Sequence, residues 1–260
     1  MSNKNTYNEI DVVELYARET HLYRPEETIL NFLIGSLLDM KMLDMGVGGG
    51  RTTLHFAKLV KEYVGIDYSE KMIIKCKKRF SGYPNNISFK VCDARSMEMF
   101  EDNTFDFILF SFNGIDYISH NDRLKALREI QRVGKHGGYF CFSTHNLETI
   151  HKIFKFKHQL CLSPERLVRR IVKWLLLRFV YNKHTNIKKL KSSKYAIIND
   201  GAHEFRLQTY YISPTEQIEQ LSEWFRDVQV YSVTSGSEIN GEIELNSIDD
   251  EWLCYLCVIK

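Results

Sequence analysis

Short apolar runs alternate with amphipathic segments over residues 41–145, and this alternation restricts the fold more than any other feature of the chain. The segments 51–62, 69–80 and 121–133 carry apolar residues at helical spacing. Strands that alternate with helices form βαβ units, whose strands lie parallel in one sheet. The pattern therefore predicts an α/β domain with a doubly wound, mostly parallel sheet. Its five strands are predicted at 41–45, 63–67, 87–93, 105–112 and 137–145.

The alternation stops after His145. Residues 146–204 are predicted to form a basic helical insert after strand five, which would cap an acceptor site. Residues 205–260 return to the sheet with strand-like runs at 205–213, 227–235 and 252–260, and we expect an antiparallel closing strand. Residues 1–40 are predicted to be helices that act as a lid, and residues 41–145 to be the ligand-binding core.

Charge is distributed unevenly along the chain. The formal net charge is only +2, but Arg166 to Lys194 contains ten Lys and Arg and no acid, whereas Asn199 to Glu251 contains twelve Asp and Glu and two Arg. Local charge should therefore decide what binds where. The basic segment is predicted to be an amphipathic helix with Leu167, Ile171, Trp174 and Leu175 on one face. It would contact a phosphorylated acceptor, an anionic membrane surface, or the acidic last third of the chain.

The first residues lack the apolar core of a secretory signal, and no apolar run reaches the roughly 18 residues of a membrane-spanning helix. The six cysteines are scattered through apolar runs, as expected for reduced thiols in a cytoplasmic protein. Cys254 and Cys257 have CxxC spacing but lie inside the predicted final strand. Without a second Cys or His pair, we predict no metal site.

The segment LDMGVGGGR (43–51) indicates a ligand. A predicted strand ends at Asp44, and Gly46, Gly48 and Gly50 follow before the next helix. Glycines at this position allow a tight turn and a close approach of backbone to a bound molecule. The dinucleotide fingerprint GxGxxG is incomplete because Arg51 replaces its last glycine, which argues against a nicotinamide cofactor.

Acidic residues also follow the next two strands. Asp67 ends strand two, where a carboxylate would accept both hydroxyls of a ribose, and Asp93 and Ala94 follow strand three, where they would contact adenine. Ligands of doubly wound sheets bind at the carboxyl ends of the strands. The three acids and the glycines together predict one adenosine-binding crevice, although each acid by itself also suits a turn or a helix N-cap.

These motifs resemble the class I, seven-strand, Rossmann-like methyltransferases that depend on S-adenosylmethionine. The resemblance is close over 41–145 and looser over the closing strands. It implies that Gly46, Gly48 and Gly50 form the cofactor loop and that Asp44 orients the methionine moiety. It further implies that the cofactor is contacted by Asp67 at the ribose, by Asp93 and Ala94 at the adenine, and by Ser111 beneath the sulfonium, with Tyr68 as a further cofactor-binding residue. S-adenosylhomocysteine would be the product.

Residues 14–25 resemble the lid helix of the same family. Tyr16 and Tyr23 would close over the cofactor, and Arg24 would meet its carboxylate. The alternative is that the tyrosines are ordinary packing residues and that the arginine is a solvated charge.

Transfer to a hydroxyl or an ammonium requires a general base. His145, at the end of strand five, is the first candidate, and His203 and Tyr210 or Tyr211 are second. Asn113 and Asp116, after strand four, are alternative acceptor contacts. A histidine at a strand end is also often only a hydrogen-bonding residue.

The sequence after strand four is FSFN (110–113) rather than the (D/N)PP(Y/F) typical of enzymes that methylate amines of nucleic-acid bases. We therefore predict a small-molecule acceptor, such as a sugar, a nucleotide-sugar or another phosphorylated metabolite. An RNA methyltransferase and a non-catalytic cofactor-binding module are the alternatives, and an NAD-linked dehydrogenase is disfavoured by Arg51. The sequence leaves the oligomeric state open.

Overall fold

The first five strands of this computed structural model form the parallel half of a single sheet. The structure describes residues 3–156, 163–190 and 192–260, so the predictions for 157–162, including Cys161, lie outside the described residues. Neighbours in the order β3-β2-β1-β4-β5 all pair in parallel. This confirms the predicted α/β class. The strands are β1 (Lys41–Met45), β2 (Glu62–Asp67), β3 (Ile87–Val91), β4 (Phe105–Phe110) and β5 (Gly134–Asn146).

Four later strands complete the sheet. They are β6 (Tyr195–Ile198), β7 (Thr209–Ile212), β8 (Phe225–Ser232) and β9 (Trp252–Ile259). Strand β9 runs antiparallel to β5 and also pairs with β8, which confirms the antiparallel closing strand. Strand β7 is parallel to the last two residues of β5 and pairs with β6 as an antiparallel hairpin. That hairpin extends the sheet at the carboxyl end of β5.

Helices lie on both sides of the sheet and over its carboxyl edge. The N-terminal ones are α1 (Asn3–Tyr7), α2 (Ile10–Arg18) and α3 (Arg24–Leu33). Those between the parallel strands are α4 (Thr53–Phe56), α5 (Glu70–Arg79) and α6 (His120–Val133). The later ones are α7 (His151–Phe154), α8 (Pro164–Leu176), α9 (Ile187–Leu190), α10 (Pro214–Leu221) and α11 (Glu242–Ser247).

Helix boundaries follow local capping chemistry. The Ser69 hydroxyl accepts a hydrogen bond from Met72 N and begins α5, and Ser213 begins α10 with Pro214 in the first turn. The helix predicted at 51–62 is wrong in length, because turns follow α4 and Glu62 already pairs with Lys41 at the start of β2. The insert was predicted to be helical throughout, but it also contains β6, whose backbone groups pair with β7.

The core is divided between the two faces of the sheet. On one face, Ile108 and Phe140 pack with Leu127 of α6, and on the other, Phe107 packs with Phe56 of α4. Strand β4 is therefore apolar on both faces, as a central parallel strand must be. This packing fixes the carboxyl ends of β1, β2 and β4 in adjacent positions.

The cysteines of the described residues are free thiols. Cys254 lies against Cys141, with 3.7 Å between the sulfurs, and the Cys257 thiol lies 3.4 Å from the Phe140 carbonyl oxygen. No group of three His, Cys, Asp or Glu residues converges as a metal site in the described ranges. Over those same residues, every helix is too short or too polar to cross a bilayer.

Candidate active site

The glycine loop after β1 has the geometry that its composition predicts. Gly46, Gly48 and Gly50 all have positive φ angles, of 60°, 53° and 81°. A Cβ on Gly49 would lie 2.5 Å from the Ala17 backbone, so α2 packs directly on the loop. A Cβ on Gly48 would instead meet nothing closer than the Tyr16 ring at 3.7 Å, and it would enter a pocket that Gly46 and Gly48 line. The bare backbone of the loop therefore forms one wall of this pocket, called here the first pocket.

Asp67 lies beside the loop in the wall of the first pocket. Its Oδ2 accepts from Gly48 N at 3.1 Å and its Oδ1 from Ser69 N at 2.8 Å. Burial raises the pKa of its carboxyl to about 6, although both backbone donors lower it. A carboxylate has about four acceptor positions, so this one retains capacity for two further donors.

Asp44 is a second buried carboxylate in the same wall. Its Oδ2 accepts from Thr52 Oγ1 at 2.5 Å and from the Tyr63 hydroxyl. Burial raises the pKa of Asp44 to about 6. Both hydrogen bonds fall on one oxygen, which leaves Oδ1 to face a bound group.

Asp93 is oriented differently from the prediction. Its carboxylate accepts from Arg95 at 2.9 Å (Nε to Oδ1) and 2.6 Å (Nη2 to Oδ2), and its side chain does not line the first pocket. Ala94 and Cys92, on either side of it, do line that pocket. An adenine here would meet these small apolar groups and the local backbone.

The N-terminal helices cover the first pocket with aromatic rings. Tyr16 and Tyr68 line the pocket, and Tyr7 and Tyr117, which the sequence did not single out, line it with them. The Tyr7 ring centroid lies 5.9 Å from that of Tyr16 and 5.6 Å from that of Tyr117. The rings contact one another across three separate segments of the chain, so no local pattern could have identified this cluster.

A buried ion pair connects the glycine loop to α3. Arg51 Nη1 lies 2.6 Å from Glu26 Oε2, and Nη2 lies 2.7 Å from Glu26 Oε1, a bidentate arrangement. Nη2 also donates to Ser111 Oγ at 2.6 Å, and the guanidinium carbon lies 4.8 Å from the Tyr23 ring centroid. Arg51, Ser111 and Tyr23 all line the first pocket. In the sequence, the feature that could have predicted Arg51 as a residue of this pocket is its position directly after the glycines of the loop.

Arg24 does not take the predicted position. It begins α3 with its side chain directed away from the first pocket, and its Nη1 donates to the Thr234 carbonyl at 2.6 Å. Arg51 supplies the guanidinium in the pocket wall instead. Arg24 is the arginine nearest the predicted lid, but the tertiary packing of α3 on the loop decides which arginine faces inward.

A second pocket adjoins the first and lies beneath the insert. Phe112 and Tyr117 line both pockets, so these two residues form part of the wall between the two spaces. Phe112 and Asn113 both have left-handed φ angles, 50° and 58°, and this turns the chain after β4 between the pockets. The insert supplies Lys152, Ile153, Arg170, Lys173, Trp174 and Leu177 to the second pocket.

His145 lines the second pocket, and the buried Asp116 is hydrogen-bonded to its imidazole and its backbone. Its Nδ1 lies 2.7 Å from Asp116 Oδ2, which also accepts from the His145 backbone N at 2.8 Å. Its Nε2 lies 3.4 Å from Asn113 Nδ2, and the buried Oδ1 of Asn113 has no hydrogen-bond partner among the described residues. The structure thus joins three residues that the sequence proposed separately, and it makes Asp116 a buried partner of His145 rather than an acceptor contact.

Two of the other three candidate bases, Tyr210 and His203, lie outside both pockets. Tyr210 is fully buried, and its hydroxyl is 2.9 Å from His120 Nδ1. His203 stacks on Tyr16, with its Nε2 3.3 Å from the Tyr16 hydroxyl, and burial lowers its pKa. Tyr211, the alternative to Tyr210, does line the second pocket and donates to Asp200 at 3.0 Å. Of the candidate histidines, His145 is the one on a pocket wall.

S-adenosylmethionine fits the donor set of the first pocket. The buried Asp67 keeps acceptor capacity for ribose hydroxyls, Asp44 and the Arg51 guanidinium are placed for an amino acid moiety, and Gly48 leaves the space that a side chain would fill. The wall has no free basic cluster for a pyrophosphate, since Arg51 is paired with Glu26. The site suits an adenosine carrying a zwitterionic tail.

Comparison with known proteins agrees with this geometry. Residues 42–138 match the family model described as a methyltransferase domain. An uncharacterized methyltransferase of Schizosaccharomyces pombe is 31% identical over 140 residues, which cover 50% of this chain and 49% of that protein. A demethylmenaquinone methyltransferase of Staphylococcus aureus is 38% identical over 103 residues, which cover 38% and 40%. The chain spans about half or less of the length of the curated relatives it matches.

Solved structures share the fold over nearly the whole chain. An S-adenosylmethionine dependent methyltransferase from Mesorhizobium loti aligns with a TM-score of 0.58 at 16% identity, covering 90% of this chain and 97% of that one. The N-methyltransferase NodS from Bradyrhizobium japonicum, in complex with S-adenosylhomocysteine, aligns with a TM-score of 0.55 at 15% identity, covering 98% and 97%. Residues 42–138 are thus similar to the methyltransferase-domain family, and the fold of the chain is similar to that of solved S-adenosylmethionine-dependent methyltransferases.

Proposed function

We propose that this chain is an enzyme that methylates an oxygen or nitrogen of a small molecule bound in the second pocket. The observation that supports this most directly is the shared wall, since Phe112 and Tyr117 border both the first pocket and the pocket that contains His145. A methyl donor in one space and an acceptor in the other would meet in line at this wall. Alignment of two reactants supplies much of the acceleration of such a transfer.

The donor side is assigned to the residues of the first pocket. S-adenosylmethionine, when bound, supplies an activated methyl group on a sulfonium. Asp67 would bind the ribose hydroxyls, Ala94 the adenine, and Asp44 the methionine moiety, with the glycine loop against the tail. Tyr16 and Tyr68 would exclude water from this end of the site.

The removal of a proton from the acceptor is assigned to His145. Because the Asp116 carboxylate only accepts hydrogen bonds, Nδ1 of His145 carries the hydrogen and Nε2 keeps its lone pair. Nε2 is on the pocket side and would remove the proton of an acceptor hydroxyl or ammonium. The Asn113 side-chain amide, whose Nδ2 lies 3.4 Å from Nε2, would be displaced from this nitrogen when an acceptor binds.

The walls of the second pocket favour an acceptor that has both a ring and an acidic group. Trp174, Tyr211 and Trp252 offer flat apolar surfaces. Lys152, Arg170 and Lys173 add three positive charges from the insert, which outnumber the two carboxylates of Asp200 and Glu251 in the same wall. Aromatic walls with a few convergent polar groups are typical of small-molecule sites. A demethylmenaquinone methyltransferase among the relatives also supports a small molecule rather than a nucleic acid.

Two measurements test the proposal. Isothermal titration should detect S-adenosylhomocysteine binding that is lost in Asp67→Ala, and a labelled-methyl screen of metabolite pools should yield a product. His145→Gln should then lower kcat by about a hundredfold or more, as loss of a general base does. Tyr210→Phe is the matched control, because that hydroxyl lies outside both pockets. Methylation that survives in His145→Gln would reject the assignment of the base.

RNA methylation is the second candidate, supported by the ten basic residues of 166–194. It requires tight RNA binding that weakens steeply with salt, together with label in the RNA. Cofactor binding without label in any pool would instead favour a non-catalytic module.

A further inference from the structure

Helix α8 presents two different faces. Arg170, Lys173, Trp174 and Leu177 line the second pocket. Val168, Val172 and Leu175 lie about 180° around the helix axis from these residues, at spacings of four and three residues, which places them in one stripe. Val168 is 61% exposed and Val172 is 49% exposed. The helix therefore has an outward apolar stripe, named here the α8 stripe, that no other described part of the chain covers.

The α8 stripe continues past the end of the helix. Residues 177–181 form a π-helical turn, in which Val180 and Tyr181 are also about half exposed. Three consecutive apolar or aromatic residues, Phe179 to Tyr181, thus project next to the stripe. Exposed apolar surface that is contiguous in this way marks an interaction site more often than scattered apolar residues do.

The charges around the α8 stripe are mainly positive, and Glu165 in the first turn is the one acid of this helix. Arg166 and Arg169 are exposed and Arg178 is partly exposed, and the sequence from 166 to 194 contains no acid. An amphipathic helix with an apolar stripe between basic residues is the form that lies in the interface of an anionic bilayer. A second copy of the chain would bring like charges together, and a nucleic acid would leave the apolar stripe without a partner.

We propose that α8 docks this protein on the surface of a membrane that contains anionic lipid, with the α8 stripe inserted among the acyl chains. The arginines beside the stripe would contact lipid phosphates. The opposite face of α8 would still form the wall of the second pocket, so the acceptor site would open close to the bilayer. This inference goes beyond the proposed methyl transfer and depends only on the exposed surface of the helix.

Vesicle co-sedimentation of the full chain tests this proposal. Vesicles of phosphatidylcholine with 30% phosphatidylglycerol should bind the protein at least tenfold more tightly than pure phosphatidylcholine, and 0.5 M NaCl should weaken the binding. Arg166→Gln/Arg169→Gln should weaken it about 25-fold, at about fivefold for each charge. Lys77→Gln/Lys78→Gln, on the exposed face of α5, is the matched control and should bind within about threefold of the unaltered chain.

The apolar contribution needs its own variant. Val172→Asp/Phe179→Asp should reduce vesicle binding at least tenfold, whereas Ile243→Asp, at an 88% exposed residue of α11, should not. Circular dichroism and thermal unfolding of each variant establish that it folds. Equal binding to both kinds of vesicle, or equal loss in the controls, would overturn the proposal. A dimer in analytical ultracentrifugation that Val172→Asp/Phe179→Asp dissociates would overturn it too, in favour of a second copy.

Discussion

The imidazole Nδ1 of His145 lies 2.7 Å from Oδ2 of Asp116, a carboxylate with no exposed surface. The second oxygen of Asp116 accepts from Arg123 Nη1 at 2.7 Å and from Thr144 Oγ1 at 2.6 Å. Arg123 is itself fully buried. A histidine on the wall of an open pocket is thus fixed by a chain of hydrogen bonds that runs into the core, and this arrangement determines which ring nitrogen faces the pocket.

Asp116→Asn should lower kcat by about 10²- to 10⁴-fold with little change in KM for the acceptor. The amide would offer a donor where His145 needs an acceptor, which favours the wrong tautomer, as in the related aspartate substitution of serine proteases. Steady-state kinetics with the identified acceptor measure this effect. His120→Gln, a histidine outside both pockets, should leave kcat within about twofold of the unaltered value. An unchanged kcat in Asp116→Asn would mean that this pair does not serve catalysis.

Arg123→Met should destabilise the fold by about 3–5 kcal/mol, because it leaves the buried Asp116 without its cationic partner. It also removes donors to Gln217 at 2.6 Å and to Gln220 at 3.0 Å. Urea unfolding measures the difference. Arg128→Met, at an exposed position of the same helix, should change stability by no more than about 0.5 kcal/mol. Similar losses of stability in both variants would show that the buried pair of Arg123 and Asp116 contributes no more to stability than an exposed arginine does.

Cofactor affinity should depend on pH through Asp67. Burial raises the pKa of this carboxyl to about 6, and ribose hydroxyls require the ionised form. A ligand that selects the base form of an acid binds more tightly as pH rises through the pKa and reaches a plateau above it. Titration calorimetry with S-adenosylhomocysteine should therefore show affinity about tenfold lower at pH 5 than at pH 7.

The matched variants for that titration are Asp67→Asn and Asp39→Asn. The first should bind weakly at every pH and show a flatter profile, with the remaining slope due to Asp44, whose pKa is also raised to about 6 by burial. The second changes an exposed acid and should keep the full pH dependence. A profile that stays steep in Asp67→Asn would assign the titration to another group.

Arg51→Lys should weaken S-adenosylhomocysteine binding by about tenfold, since an ammonium cannot reproduce the two parallel bonds to Glu26 or the stacking on Tyr23. Arg24→Lys is the control and should bind within about twofold of the unaltered chain, because its side chain faces Thr234. If Arg24→Lys weakened binding more than Arg51→Lys does, Arg24 would be the residue that binds the carboxylate of the cofactor.

Gly49→Ala should disturb the closure of α2 over the first pocket. The added Cβ would lie 2.5 Å from the Ala17 backbone, and neither segment has a flexible atom to move there. We expect faster limited proteolysis within residues 3–20 and cofactor affinity at least tenfold lower, since a shift of about 1 Å in a binding segment has effects of this size. Gly35→Ala, which meets nothing within 4 Å, should do neither. Unchanged proteolysis in Gly49→Ala would show that α2 packs less closely on the loop.

The sequence determined the parts of this protein that depend on local chemistry. Alternating apolar runs specified the parallel strands, because each buried strand and helix needs its own apolar pattern. The glycines of 46–50 specified the turn after β1, because only glycine adopts three positive φ angles there without strain. The placement of Asp44 and Asp67 in the site could be predicted because both residues end strands. Adjacent parallel strands place their carboxyl ends at one edge of the sheet.

The tertiary structure alone decided which residues meet across long separations. Arg51 rather than Arg24 enters the pocket wall because α3 packs Glu26 against the loop. His145 rather than Tyr210 faces an open pocket, because the short pairing of β5 with β7 buries Tyr210 against α6. Such outcomes depend on which side chain a distant element covers, and that is a property of packing rather than of any local spacing.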